Sequence, residues 1–207
     1  MPEAIRAESA GSRPGRPRDP EIDKRAIQAA LAIYSDHGMA KLSFDLVARS
    51  ASVGKAALYS RWNNVDQLLI DGLRTIAPPP TLEDFGSLRR DLRQLILMVW
   101  DLYSGEYGRV TFRILLDASA SPALRPYYDE FVTAYVAAAR DIVERGVRRG
   151  ELTAAADPAL LLEQLFGATM LHVLFFSDRG HRLPVAAAAS FGDRLVDRIL
   201  AGLLDAV

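Results

Sequence analysis

The chain has 207 residues, 50% of them hydrophobic, and a formal net charge of −1. That length fits one or two domains, and that apolar content supports a sizeable core and excludes wholesale disorder. Cysteine is absent, which excludes disulfides and thiolate metal sites, and the three histidines (His37, His172, His181) are scattered, so neither a metal nor a cofactor is expected.

Residues 1–18 combine Gly, Ser, Pro and Arg with little apolar content and read as a flexible basic arm. Asp19-Pro20-Glu21 starts a helix, with a capping acid, a proline at the first helical position and further acid. Ile22, Ala26, Ile27, Ala30, Leu31 and Ile33/Tyr34 keep helical spacing, and His37-Gly38 ends the element. Ser43 caps a second helix with the apolar face Phe44, Leu46/Val47 and Ala48. Ser50 to Gly54 forms a turn, and a very short third helix follows, about Lys55 to Arg61. Asn63-Asn64 breaks it, and Asn64 caps a fourth helix from Val65 to about Ile76. Pro78-Pro79-Pro80 is the clearest boundary, since three prolines cannot continue a helix.

The remainder reads as helix after helix. Leu92, Leu95, Ile96, Val99 and Leu102/Tyr103 form one stripe, and Gly105 and Gly108 bracket a break before a helix of about 109–118. Ser121-Pro122 starts a long segment to about Arg149, which Pro126 should kink or restart and Gly150 ends. Asp157-Pro158 starts another helix to about Phe176. Its apolar run, Leu165 to Phe176, is interrupted by Gly167, Thr169 and His172 and is too short to span a bilayer. With no charged-then-apolar leader pattern at the N-terminus, a cytoplasmic protein without a membrane partner is expected. After a loop, a last helix runs from about Val185 to Leu204. No alternating strand pattern occurs, so the fold class is all-α with about nine helices.

Charge sharpens locally. Between Met39 and Trp62 stand Lys41, Arg49, Lys55 and Arg61 against one acid, Asp45, and the arm adds Arg13, Arg16 and Arg18 with no acid between them. A local basic face suffices for phosphate contact even on a nearly neutral protein. A major groove about 12 Å wide admits one helix, which must expose short side chains and be anchored by its neighbours. The segment Lys55 to Trp62 meets that need. Ala56 and Ala57 permit close approach, and Lys55 and Arg61 are candidates for phosphates or a guanine edge. Leu58 and Trp62 share an inward face, and the Tyr59 hydroxyl is a candidate phosphate donor. Ser43 at a helix start offers a hydroxyl and free N–H groups to another phosphate. The plainer alternatives are a helical hairpin in a bundle and, for the arm, a solvated tail rather than a minor-groove reader.

The first 70 residues resemble the TetR/AcrR family of transcriptional regulators. The matching residues are Gly15-Arg16-Pro17-Arg18, Ala29, Tyr34 with Gly38, Ser43 with Val47-Ala48, and above all Ser52-Val53-Gly54-Lys55-Ala56-Ala57-Leu58-Tyr59-Ser60-Arg61-Trp62, followed by Leu68. The match is closest to the branch in which a tryptophan ends the recognition helix. A second stretch, Arg149-Gly150-Glu151-Leu152, Asp157-Pro158 and Leu165-Phe166-Gly167, resembles the body of many such regulators. The resemblance implies an arm (1–18), a three-helix helix-turn-helix DNA-binding domain (19–65) and a helical effector-binding and dimerisation domain (66–207). It implies contacts to double-stranded DNA from Arg16, Arg18, Ser43, Gly54, Lys55, Ala56, Ala57, Tyr59, Ser60 and Arg61. Three positions depart from the pattern. Asn63-Asn64-Val65 replaces Pro-Ser-Lys, Ala57 stands where Thr is frequent, and Gly54 where a capping Ser is common. Each lost contact is worth about 1 kcal/mol of binding.

For the body the resemblance implies a small-molecule effector site and a homodimer formed by the last two helices. An apolar cavity with a few polar groups suits an effector, and Met98, Trp100, Tyr103, Phe112, Tyr128, Phe131, Phe166, Met170 and His172 are its candidates, against the alternative of ordinary core. Leu161, Leu165, Ala168 and Phe176 on one stripe, and Phe191, Leu195, Ile199 and Leu203 on another, are the candidates for a four-helix dimer interface, against packing within one subunit. An enzyme lacks support: no paired histidines, nucleophile motif or phosphate loop occurs. The expected function is a ligand-responsive regulator, a repressor released from a palindromic operator by a hydrophobic or aromatic molecule. The alternative is a dimeric DNA-binding or architectural protein without an effector.

Overall fold

The computed structural model describes residues 20–153, 155–176 and 185–204. Arg16 and Arg18 lie outside them, as do the side chain of Leu203 and the whole of His181. Nine α-helices and one 3-10 turn, with no strand, make up the described residues: α1 (Pro20–His37), the turn (Met39–Lys41), α2 (Phe44–Ala51), α3 (Lys55–Tyr59), α4 (Val65–Ile76), α5 (Leu88–Ser104), α6 (Gly108–Ala120), α7 (Arg125–Arg148), α8 (Pro158–Phe176) and α9 (Val185–Leu204).

The helix ends follow local chemistry. Ser43 and Asn64 are extended N-caps whose side chains accept from Leu46 N (3.3 Å) and Gln67 N (2.8 Å). Gly38 closes α1 at φ 69°, and a Cβ there would stand 2.7 Å from the Arg113 guanidinium. Gly108 sits so tightly behind α5 that a Cβ would meet the Tyr103 carbonyl at 1.9 Å, which fixes the α5–α6 corner. Pro126 restarts rather than kinks: it falls in the first turn of α7, where its missing N–H is harmless, and 121–124 forms a separate turn. The third helix ends at Tyr59, two residues early, as Arg61 N and Trp62 N both turn back to the Leu58 carbonyl (2.9 Å each).

Two apolar cores result. The first joins α1 to α4 and continues into α6 and the start of α7 through Val110, Ile114, Ala118, Leu124 and Tyr127. The second joins α5, α7, α8 and α9. Helix α4 thus packs on α1 on one side and meets the body on the other, through Tyr127 Oη donating to the Leu73 carbonyl (3.3 Å) and an Arg74–Glu130 ion pair (2.9 Å). At the far end of the body, Asp91 is fully buried. It accepts from Arg149 (2.9 Å), Arg145 (3.4 Å) and Phe85 N (3.0 Å), pinning α5, α7 and the loop after the prolines together. Helix α8, at 19 residues and mean hydropathy 1.6, has the length and composition of a membrane span, which its interrupted run did not suggest. One face of it packs on α5 and α7.

Candidate DNA-reading surface and effector site

Helix α3 is held by two residues four apart. Leu58 is fully buried, and Trp62, 5% exposed, donates its indole N–H to Asp71 Oδ2 on α4 (2.9 Å). Gln67 fixes the other oxygen of Asp71 (2.9 Å). With Leu58 inward, helical phase turns Ala56, Tyr59 and Ser60 away from the core, Lys55 stands at the open first position of the helix, and all four are exposed. Tyr59, 61% exposed, rests edge-on against Phe44 at 4.9 Å and 82°, so its ring is oriented before any partner arrives. Ser60 Oγ donates to the Ala57 carbonyl (2.9 Å), and Ala57 itself is half-buried. Lys55 pairs with Asp45 on the surface; the Asp45 carboxylate holds its pKa above the ordinary lysine value, so it stays charged. Both partners are well exposed, so a phosphate can displace Asp45 at little cost.

Arg61 departs from the sequence expectation. Its guanidinium is turned inward, with its side chain only 10% exposed, paired to Asp23 of α1 and bonded to the Ala57 carbonyl (3.0 Å). The position therefore braces α3 against α1 instead of standing free at the exposed face. Gly54, the N-cap of α3, makes no side-chain cap bond, and a Cβ there would meet nothing within 4 Å. The turn before it places Ser52 at φ 52°, a left-handed conformation that lets the chain reverse between α2 and α3.

Two small cavities lie where α4 meets the body. One, about 10 Å³, is lined by Leu73, Ile76, Ala77, Thr111, Ile114, Leu115, Tyr127, Tyr128 and Phe131. The other, about 20 Å³, is lined by Arg74, Ala77, Pro79, Tyr127, Glu130, Phe131, Ala134 and Tyr135. Each is the size of one or two waters. Of the nine effector candidates, Tyr128 and Phe131 line these cavities. Trp100 and Tyr103 are buried in the second core and Met98 is half-buried. Phe112 and Phe166 pack against Tyr103 (centroids 4.8 and 6.4 Å), and Met170 packs on the same core. Tyr127 and Tyr135, of the same aromatic cluster in the sequence, line the cavities as well, and so do Thr111 and Arg74, which no sequence pattern marks. Burial pushes the Tyr135 phenol up to about 12, and burial with the neighbouring Tyr128 and Tyr135 raises Tyr103 further, so these rings carry neutral hydroxyls.

His172 stacks on Phe191 (4.2 Å, 26°) between Trp100 and Phe176. Desolvation, then the charge of Arg194, holds its pKa below the ordinary 6.5. The unfolded chain therefore takes the proton first, and the stability this ring contributes is complete above 6.5 and lost as pH falls below it. His172→Phe is expected to lower Tm less than wild type does between about pH 7.5 and about pH 5. Equal losses in both proteins would show that this ring does not set the acid limb.

The dimer candidates divide. Leu161, Leu165 and Ile199 are buried in the chain's own core; Ala168, Phe191 and Leu195 are half-buried; Phe176 is exposed. The face of α8 that remains apolar and open carries Leu160, Leu171, Leu174 and Phe175, the last 72% exposed.

A short helix with an exposed face, seated by a buried hydrophobic pair behind a capped helix and a tight turn, defines a helix-turn-helix DNA-binding protein on a larger helical body. The chain belongs to the TetR family of transcriptional regulators. Residues 26–71 match the family of bacterial regulatory proteins of the tetR type, and residues 82–199 match the tetracyclin repressor-like C-terminal domain. The HTH-type transcriptional regulator AqdR of Rhodococcus erythropolis is 32% identical over 158 residues, 75% of this chain and 76% of the relative. A TetR-family regulator from Rhodococcus sp. superposes with a TM-score of 0.69 at 18% identity, covering 87% of this chain and 99% of its own. The regulator FadR from Bacillus subtilis, solved in complex with stearoyl-CoA, gives 0.62 at 19% identity, covering 84% and 97%. The chain is thus a DNA-binding transcriptional regulator and not an enzyme.

Proposed function

We propose that the protein is a cytoplasmic, homodimeric repressor that leaves a palindromic operator when a small hydrophobic or aromatic molecule binds its body. The observation that carries the DNA-reading part is the outward face of α3, short side chains at Ala56 and Ser60 flanked by Lys55 and Tyr59, on a helix locked by Leu58 and Trp62. Ala56 and Ala57 allow close approach to base edges, while Ser43, Gly54, Lys55, Tyr59 and Ser60 meet phosphates or bases. Arg61 holds the helix in place and contacts DNA only if it leaves Asp23. The arm residues Arg16 and Arg18 reach the adjacent minor groove. The reader (19–65) and the effector and dimer body (66–207) meet at α4, and the arm (1–18) precedes the reader in the chain.

Selection from a random duplex pool at near-physiological salt tests this reading: enrichment of an inverted repeat is expected, and enrichment of no sequence would overturn it. On the selected site, Lys55→Ala is expected to weaken binding across sequences and to reduce the salt slope by about one. A loss confined to one base position would make Lys55 a base reader instead.

The dimer reading rests on the open apolar face of α8. A second copy would cover Leu160, Leu171, Leu174 and Phe175 and complete a four-helix bundle with α9. The inward stripe of Leu161 and Leu165 then supports the interface from behind. Leu171→Asp is expected to give a monomer in sedimentation and to reduce operator binding to that of one half-site; an unchanged dimer would move the interface elsewhere.

The effector reading is supported by the aromatic lining of the α4–α7 junction and by a structural neighbour solved with stearoyl-CoA. A second reading, a DNA-binding dimer without an effector, is favoured by the small size of both cavities. It predicts operator affinity indifferent to every small molecule.

A further inference from the structure

The two cavities share three walls, Ala77, Tyr127 and Phe131. Tyr127 is tethered through its hydroxyl to Leu73, whereas Phe131 is half-buried, packs on the second core and meets the rings of Tyr135 (4.6 Å) and Tyr128 (6.5 Å). Phe131 thus stands between the two, and a slot joined by turning its ring would lie between α4 and α7, walled by apolar and aromatic side chains. Arg74 and Glu130 are the charged residues among its lining, and both stand at the outer cavity.

Their pair is open to exchange. Both side chains are at least half exposed, and a single bond joins Arg74 Nη2 to Glu130 Oε2 at 2.9 Å. A guanidinium has five N–H donors, so most of Arg74's capacity remains for a ligand. The hydroxyls of Thr111 and Tyr127 already donate to the Tyr107 and Leu73 carbonyls. The slot therefore offers donors at its mouth and apolar walls within. Arg74 Nη1 also lies 3.9 Å from Asp71 Oδ1, and Asp71 is the carboxylate that holds the Trp62 indole at the end of the recognition helix.

Resting on the body being an effector domain, we propose that Arg74 is the recognition group of that site and the first link of its relay to DNA. A molecule with a flat apolar body and a terminal carboxylate enters between α4 and α7 and takes the guanidinium from Glu130, whose own side chain turns to water. Arg74 is drawn away from Asp71, and the hold of Asp71 on Trp62 loosens.

Three isosteric probes test it on the full chain labelled with 5-fluorotryptophan: naphthalene-2-carboxylate, 2-naphthylmethanol and 2-naphthylmethylamine. Affinity is read from thermal shift, and the Trp62 resonance is assigned with Trp62→Phe. The carboxylate is expected to bind tightest and to shift the Trp62 resonance. Arg74→Gln should weaken the carboxylate about tenfold or more and leave the alcohol unchanged. Asp71→Asn, which keeps an acceptor for the indole, should bind the carboxylate as wild type does yet lose the Trp62 shift. Tightest binding by the amine or the alcohol, or an Arg74→Gln affinity equal to wild type, overturns the role of Arg74 and leaves an effector site standing. Failure of all three probes on wild type and on both Phe131→Ala and Phe131→Leu, which remove or shrink the partition, overturns the site itself.

Discussion

Trp62→Ala is expected to destabilise the DNA-reading unit by about 3–5 kcal/mol, the usual cost of truncating a buried tryptophan. The indole is 5% exposed in the first core, and its N–H is bonded to Asp71, so the variant loses packing and the tie between α3 and α4 together. Trp62→Phe separates the two effects. It keeps most of the ring volume, and Asp71, partly exposed, regains water, so about 1 kcal/mol should be lost. Circular dichroism melts of both variants check the pair of values. Both should also weaken operator binding beyond their effect on folding, since a loosened α3 presents Lys55 and Tyr59 in more than one orientation. A Trp62→Ala protein with wild-type stability and DNA affinity would mean that Leu58 and Arg61 hold α3 without the indole.

The second large effect is expected at the opposite end of the molecule. Asp91→Ala should cost about 3–5 kcal/mol, because it takes the fully buried carboxylate from two guanidiniums and leaves them only their more exposed partners, Asp141 for Arg145 and Asp84 and Glu151 for Arg149. Arg145 is only 7% exposed and Arg149 22%, and Asp91 bonds both. For a chain of this size that is a fall in Tm of roughly 10 °C. Replacing Asp91 and Arg145 together with leucine and methionine should cost less than the sum of the two single changes, because the buried carboxylate and the buried guanidinium then leave as a pair. A double variant as unstable as the sum of the two single ones would show that the carboxylate and the guanidinium act independently. Operator affinity should change little in either variant once folding is accounted for, as the network joins α5, the end of α7 and the loop after the prolines and includes no residue of α1 to α4.

What could be read from the sequence was whatever has a local cause. Ser43 and Asn64 cap helices because their short polar side chains reach back to nearby N–H groups, and Gly38 ends α1 because a left-handed residue is required there. Leu58 faces inward from a short helix, and Trp62, four residues on, is brought beside it as the chain turns back to the Leu58 carbonyl. What needed coordinates was whatever depends on a distant partner. Arg61 reads as one more surface cation, and its bond to Asp23, 38 positions earlier, has no local signal. Asp91 carried no periodic signal, and its partners stand 54 and 58 positions away. Helix α8 is apolar all round, so the stripe through Leu161 and Leu165 and the stripe through Leu160, Leu171 and Leu174 looked alike. Only packing on α5 and α7 separates the inward one from the open one. Likewise Tyr127 and Tyr128 are neighbours of one type, and Tyr127 is the one that faces both cavities.

The most direct test of a dimer that reads DNA through two copies of α3 is a change of operator spacing. With the selected inverted repeat in hand, binding is compared before and after inserting about 5 base pairs, half a helical turn, between the half-sites. Affinity is expected to fall to that of an isolated half-site, because the insertion rotates one major groove away from its recognition helix. Undiminished affinity for the respaced site would contradict a dimer that reads DNA in this way.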